Sequence, residues 1–478
     1  MIGSSRKDFL KKLGLLSAAP FFSLNPGSQL NKPSKDAPNI VFLLSDDQSR
    51  PDMGSYGNPA IHTPNLDQLA EEGMRFNRAY VTSSSCSPSR GSIFTGRSPH
   101  ATGSSKLHVW VLPEIANLLD LLKENGYYLG GLRKLHQDNY MDRFDFYGDD
   151  TVPLSRFFEE RPIDRPFFLW FGSDEPHRPY GPGTFDPPHD PAEVIVPDFL
   201  PDTEEVRQDI AWYYDQMGVF DADCGTILNL IDKHGLADNT MVVVSSDNGM
   251  PFARAKATVY EAGLNVPLLI RWPGKVEPGS VTNELVSLMD LMPTWLEAAG
   301  ISLPDYLEAH SLLPLLKGDE YRSQKYIFAG RNWHDNWAPA RSVSGKRFKL
   351  IQNYRPSVGY LPSLDIQESS SYQVIRALQN ENNLQGHLTW YNNKSTPQQE
   401  LYDLENDPGE WNNLADDPNF SDQKDELETA LSEWIDSTHD FLPPPKNAYG
   451  IWTDMFKDVN PLDGWLENPS ETPSNNHH

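Results

Sequence analysis

The chain has 478 residues, 38% of them hydrophobic, with a formal net charge of −27 and a sequence pI near 4.8. This length supports a large core in two packed units. The charge excludes nucleic acid and anionic lipid surfaces as partners, no apolar run is long enough to span a bilayer, and two cysteines exclude a disulfide framework.

The amino terminus reads as an export signal and linker over residues 1–30. Arg6, Lys7, Lys11 and Lys12 precede a short apolar stretch over 13–24. Ser5-Arg6-Lys7-Asp8-Phe9-Leu10-Lys11 is similar to the twin-arginine motif, with Lys7 in place of the second arginine. The expected destination is the periplasm or the medium. The continuous apolar run 39–44 then predicts a buried parallel strand whose carboxyl end carries Asp46 and Asp47. Thr63 and Pro64 open a helix whose apolar face is Leu66, Leu69 and Ala70. Further strands are predicted over 127–132, 167–171, 241–245 and 267–271, with helices over 115–124 and 204–234. Cys224 lies in the second helix as a small core residue.

This alternation predicts an α/β fold, a large and mainly parallel sheet sandwiched by helices, over residues 36–320. After residue 320 the pattern changes. Short strands over 326–328, 341–343 and 347–352 and a closing helix over 422–438 predict a smaller α+β subdomain over 321–442. Residues 360–398 are rich in Ser, Asn and Gln and are expected to be irregular, as is the tail 443–478.

In such sheets chemistry gathers beyond the carboxyl ends of the strands. Asp46-Asp47 and Asp247-Asn248-Gly249 both follow strands, and their four side chains can converge on one hard cation. All-oxygen ligation favours Ca²⁺ or Mg²⁺ over Zn²⁺. Cys86-Ser87-Pro88-Ser89-Arg90 follows Ser83-Ser84-Ser85, which supply N-cap character for a helix. Cys86 would sit at a helix start that favours an anion, with Arg90 on its face. Lys134 and His136, two apart in an extended segment, point to one side. His177 and Lys256 also follow predicted strands. An anionic substrate in so acidic a chain needs such a local cation cluster.

These segments identify a resemblance to the type I, formylglycine-dependent sulfatases of the alkaline phosphatase superfamily, from about residue 38 to residue 440. Val266-Pro267-Leu268-Leu269-Ile270-Arg271-Trp272-Pro273-Gly274 and Glu400-Leu401-Tyr402-Asp403-Leu404 add to it. Ser84-Ser85-Cys86-Ser87-Pro88-Ser89-Arg90 and the short spacing from Asp247 to Lys256 resemble the heparan N-sulfatase branch, where an arginine stands in place of Lys256. The resemblance implies that a maturation enzyme oxidises Cys86 to formylglycine, whose hydrate supplies the attacking oxygen. It implies Ca²⁺ on Asp46, Asp47, Asp247, Asn248 and the modified Cys86. Arg90 and Lys134 would hold the hydrate, His136 would help eliminate sulfate, and His177 and Lys256 would serve the leaving group. Arg133 and Leu135 replace a usual glycine and tryptophan and are expected to reshape the pocket.

The implied reaction is release of sulfate from a sulfated sugar or polysaccharide. An N-sulfoglucosamine substrate, a phosphoester or phosphonate hydrolase, and a non-catalytic glycan-binding scaffold are the alternatives. Polarity and aromatic content single out His108, Trp110, Arg331, Trp333, His334 and Trp337 as candidate sugar contacts.

Overall fold

A computed structural model describes residues 37–440, so the export signal and the tail 443–478 fall outside the described residues. Asn39–Ser45 forms the central strand, β1, and every residue of it is buried. Its side chains serve two cores by alternation. Ile40, Phe42 and Leu44 enter one cluster, Val41 and Leu43 the other. Phe42 meets Trp170 and Trp295 edge-on, with ring centroids 5.2 and 5.1 Å away.

The remaining strands of this sheet are β2 (Met74–Tyr80), β3 (Tyr128–Arg133), β4 (Phe146–Gly148), β5 (Phe167–Gly172), β6 (Thr240–Ser246), β7 (Asn265–Arg271), β8 (Ser280–Thr282) and β9 (Val286–Ser287). The order is β4-β3-β5-β1-β6-β7-β2-β8, with β9 also paired to β2. All pairings are parallel except those of β7, which runs antiparallel to β6 and β2. The chain therefore leaves the carboxyl rim of the parallel strands at the end of β6 and returns through β7 from that same rim. Strand β2 was not expected from the sequence; its Met-Arg-Phe-Asn-Arg-Ala-Tyr buries Met74 and Phe76 by alternation and Ala79 after a register shift.

The principal helices are α1 (Pro64–Glu72), α2 (Cys86–Thr95), α3 (Leu118–Glu124), α4 (Glu204–Lys233), α5 (Leu291–Ala298), α6 (Ser370–Asn380) and α7 (Ser421–Ser437). The third begins at Leu118 rather than 115 because Asn117 caps it, its side chain accepting from Asp120 N at 3.1 Å. The 30-residue α4 opens on Thr203, whose hydroxyl accepts from Val206 N, and buries Tyr213, Phe220 and Cys224 against the sheet. Among the described residues no helix is long and apolar enough to cross a membrane.

A second, antiparallel sheet orders β10 (Ile327–Trp333), β11 (Trp337–Ser344), β12 (Phe348–Asn353) and β13 (Gln399–Asp403), covered by α7. The expectation of irregular structure over 360–398 fails. This stretch holds a short helix, Leu364–Gln367, then α6, capped by Ser369 toward Tyr372 N, then the 3-10 turn Gly386–Asn392. Ile366 and Ile375 are buried under these polar residues.

The two sheets meet at a buried seam. Arg254 donates to the carbonyls of Gly409 (2.9 Å) and Glu410 (2.6 Å) and lies over the rings of Trp411 and Tyr260. Lys349 bridges Glu261 and Glu410 at 3.0 and 2.9 Å.

Candidate active site

The carboxyl ends of β1 and β6, side by side in register, carry Asp46-Asp47 and Asp247-Asn248 to one place. The amino end of α2 brings Cys86 against them. Its Sγ lies 3.5 Å from Asp46 Oδ1 and 4.0 Å from Asp47 Oδ1. The Sγ atom marks where an oxygen of a modified residue would stand. Ser85 occupies the N-cap, but its hydroxyl makes no capping bond and is buried without a partner, so the expected serine cap is absent. The cysteine is 2% exposed.

Arg90, one turn into α2, shares the face of Cys86 as its spacing requires. Its Nε donates to Asp247 at 2.7 Å, one terminal nitrogen to Asp46 at 3.0 Å and the other to the Lys134 carbonyl at 2.9 Å. Lys134 follows β3 and pairs with Asp46 (2.8 Å) and Asp174 (3.2 Å). Its backbone is fixed by Gly172, where a Cβ would collide with the Lys134 carbonyl oxygen. Lys256 lies in the loop between β6 and β7, with Nζ 2.6 Å from Asp47 and 2.8 Å from Asp365. The loop is pinned by Ala257 N donating to Ser84 O and by the close approach of Gly249 to Ala262, which leaves no room for a side chain. His177 reaches the same corner. Its Nε2 lies 3.8 Å from Asp47 and 3.9 Å from Asp365, and its Nδ1 is 2.6 Å from the Arg178 carbonyl. That contact assigns the proton to Nδ1 and leaves Nε2 facing the pocket.

The backbone is constrained around these groups. Asp47, His108, Arg133, His136, Arg254 and Ala257 all have φ between 56 and 73°. Non-glycine residues enter this region at a cost and cluster where surrounding structure imposes it.

Electrostatics sort the acids. Burial alone would raise Asp46, but Lys134 and Arg90 overcome it and hold the carboxyl well below the usual range. Burial pushes Asp47 up to about 7 and Asp247 to about 6, with Asp46 adding to both. Burial would also raise Asp365, but Lys256 and His177 keep it far below the ordinary value. Burial, then Asp46 and Asp247, push the Cys86 thiol well above its normal value. As a thiol this residue is no nucleophile at neutral pH. Burial and Lys256 bring His177 down to about 4, and burial and Lys134 hold His136 neutral.

Asp46, Asp47, Cys86 and Asp247 bring their ligand atoms within 4.8 Å of one another. Asn248 Oδ1 is buried there without a partner, while its Nδ2 donates to Asp47 at 2.6 Å. Three carboxylates, an unused amide oxygen and no imidazole fit a hard divalent cation. A second acidic group, Asp47, His177 and Asp365, already contains the Lys256 ammonium between its two carboxylates.

Two expectations need correction. Arg133 does not reshape the pocket with its side chain, which turns away to pair with Asp223 of α4 and Asp150. Leu135 is a core residue. Of the candidate sugar contacts, His108 Nδ1 lies 3.0 Å from His136 Nε2, and Trp110 meets the His136 ring edge-on. His334 contacts Asp335, whose carboxylate also accepts from Leu364 N, beside Asp365. Trp333 lies beneath Lys106, and Trp337 stacks under Arg355. Asp365 and Asp174 were not among the residues expected from the sequence. The signal for Asp365 was the apolar spacing of Tyr372, Ile375 and Leu378 behind Ser369, which marks a helix within a polar segment expected to be irregular.

A family model described as sulfatase matches residues 38–301, and one described as N-sulphoglucosamine sulphohydrolase, C-terminal, matches residues 254–386. The chain belongs to the sulfatase family and is a sulfuric ester hydrolase. It is 31% identical to an ulvan-active sulfatase of Formosa agariphila over 448 residues, covering 89% of this chain and 85% of that protein. It is also 31% identical to human N-sulphoglucosamine sulphohydrolase, covering 84% of this chain and 90% of that one. Among solved structures, one bound to its substrate D-glucosamine-2-N,6-O-disulfate superposes with a TM-score of 0.67 at 20% identity, covering 86% of this chain and all of that one. A 2-O GAG sulfatase gives 0.67 at 22%, covering 84% and 93%. These place the fold among the alkaline phosphatase-like sulfatases.

Proposed function

We propose that this enzyme releases inorganic sulfate from a sulfated carbohydrate, with a formylglycine made from Cys86 as nucleophile and Ca²⁺ held by Asp46, Asp47, Asp247, Asn248 and the modified Cys86. The observation that carries the reading is the position of Cys86 Sγ against Asp46 and Asp47, above Arg90, in a pocket that suppresses the thiolate. The hydrated aldehyde would supply a hydroxyl nucleophile and a bound divalent cation would polarise it and a sulfate oxygen.

The remaining roles belong to side chains already in place. Arg90 and Lys134 fix the position of residue 86 and balance the sulfate charge. Neutral His136, whose Nδ1 is buried without a partner, accepts a proton. Lys256 stays charged because burial is outweighed by Asp365 and Asp47, so it can donate toward the departing oxygen or nitrogen. His177 Nε2 shares that corner, and an incoming sulfate is the charge that would raise it. One relative is named for ulvan and another for N-sulphoglucosamine, so neither an O-linked nor an N-linked sulfate is preferred here. The basic, apolar start of the chain supports export to the periplasm or medium by a route similar to the twin-arginine pathway.

The test is mass spectrometry of the Cys86 peptide from cells able to make the modification, with sulfate release scored on O-sulfated and N-sulfated saccharides and an aryl phosphate control. An aldehyde or its hydrate at position 86 and loss of at least about 10³-fold in Cys86→Ala are expected. An unmodified thiol in fully active protein would sink the reading, and a strong preference for phosphate would move it to phosphoester hydrolysis.

A further inference from the structure

The cations around the pocket are of two kinds. Arg90, Lys134 and Lys256 each hold two carboxylates. Arg331 holds none. Among the described residues it forms no ion pair, and its Nε is buried with no hydrogen-bond partner. Burial pushes the guanidinium down to about 10, against weaker pulls from Tyr360 and Asp335. A guanidinium whose Nε is buried unpartnered and which forms no ion pair among the described residues is costly, so its retention calls for an anion from outside the chain.

Its place in the fold says which anion. Arg331 lies near the end of β10, paired with Ala340 of β11. Three residues on, the hairpin tip carries His334 and Asp335, and Asp335 is tied to Leu364 N at 2.8 Å, next to the Asp365 that holds Lys256. Arg331 opens on a cavity lined also by Thr258 and Tyr260, from the Lys256 loop, and by Arg355, Tyr360 and Trp390. Glu400 is the one carboxylate among the described lining residues. It is already committed to Tyr260 Oη (2.9 Å), Tyr402 Oη (2.5 Å) and Asn353 Nδ2 (2.6 Å). Glu400 forms no ion pair with Arg331. The rings of Tyr360 and Trp390, 5.3 Å apart, offer apolar faces beside it.

We propose that Arg331 is a specificity-determining residue that binds a second oxyanion of the substrate, a carboxylate or a further sulfate on the sugar that bears the scissile group or on its neighbour. A guanidinium suits either, since both present two oxygens to its planar fork. The inference rests on the reading of the enzyme as a carbohydrate sulfatase and narrows its substrates to those with two anionic groups.

The experiment compares matured wild type, Arg331→Gln and Arg331→Lys on three saccharides sharing one sulfated sugar: without another anion, with an adjoining uronate, and with a second sulfate. Thermal melts verify folding. Wild type is expected to favour one doubly anionic saccharide at least about tenfold in kcat/KM, mainly through KM. Arg331→Gln should cut that ratio at least about tenfold, and Arg331→Lys should restore part of it. The saccharide whose advantage collapses identifies carboxylate or sulfate as the source. Equal wild-type turnover of all three, or a uniform loss in Arg331→Gln, overturns the proposal. Calorimetric binding of the same saccharides separates the two ideas. Arg331-dependent binding without turnover sinks the sulfatase chemistry and keeps the subsite, whereas binding that ignores Arg331, or none, removes the subsite.

Discussion

The floor of the pocket and its outer wall are built in different ways. The floor comes from the large sheet: Asp46, Asp47, Cys86, Arg90, Asp247 and Asn248 are all buried, sit at strand ends or a helix start, and interlock by charge. The wall comes from the β10–β11 hairpin tip and the Leu364–Gln367 helix, whose Asp335 and Asp365 are partly exposed and bonded mainly to neighbours in that wall and to Lys256. Rigid strand ends set distances for chemistry, whereas loops from a second sheet are where a partner sugar can be sorted.

Removing the divalent cation attacks the floor and should have the largest effect. Chelation, or Asp47→Ala, is expected to lower sulfate release on the order of 10²-fold or more, with Ca²⁺ restoring only the chelated wild type. Retained activity after verified metal loss would break the comparison at its root. Asp365→Asn attacks the wall. It should reduce kcat/KM by about tenfold while metal content stays at wild-type level, because Lys256 keeps Asp47 but loses its second carboxylate. A loss as large as that of the floor variants would make Asp365 part of the floor.

Arg254→Met addresses the seam joining the two regions. Losing two carbonyl hydrogen bonds and the ring contacts is expected to cost about 3 kcal/mol, measured by urea denaturation. The smallest effect lies beneath the floor. Asp52 is buried, accepts from Tyr213 Oη at 2.8 Å and is pushed up to about 7 by burial. From about pH 4 to 7 the folded chain keeps this proton and the unfolded chain does not, so Asp52 subtracts stability as pH rises through that window. Asp52→Asn should therefore match wild type near pH 4 and melt a few degrees higher at pH 8. An equal shift at both pH values would assign the effect to packing.

The same division explains what could be read from sequence. Each floor residue follows a strong local pattern, an apolar strand run or the Cys-x-Pro-x-Arg spacing, so position in the chain predicted position in the sheet. The antiparallel course of β7 was illegible, since a short apolar strand carries no mark of direction. Asp365 was missed because its segment is polar in composition and helical only through a few buried residues, Ile366 and Ile375, under a serine cap. Arg331 was visible only as a polar residue near tryptophans. Its buried, unpartnered Nε and its lack of an ion pair among the described residues belong to tertiary structure alone.

The Arg254 clamp has a consequence for the order in which the molecule is completed. The loop holding Lys256 is closed by Gly409 and Glu410, about 150 positions later in the chain. A nascent polypeptide that has emerged through β7 already contains every floor residue, yet its Lys256 loop still lacks the clamp. A product truncated before Gly409 would carry the full catalytic inventory without the means to hold it in register.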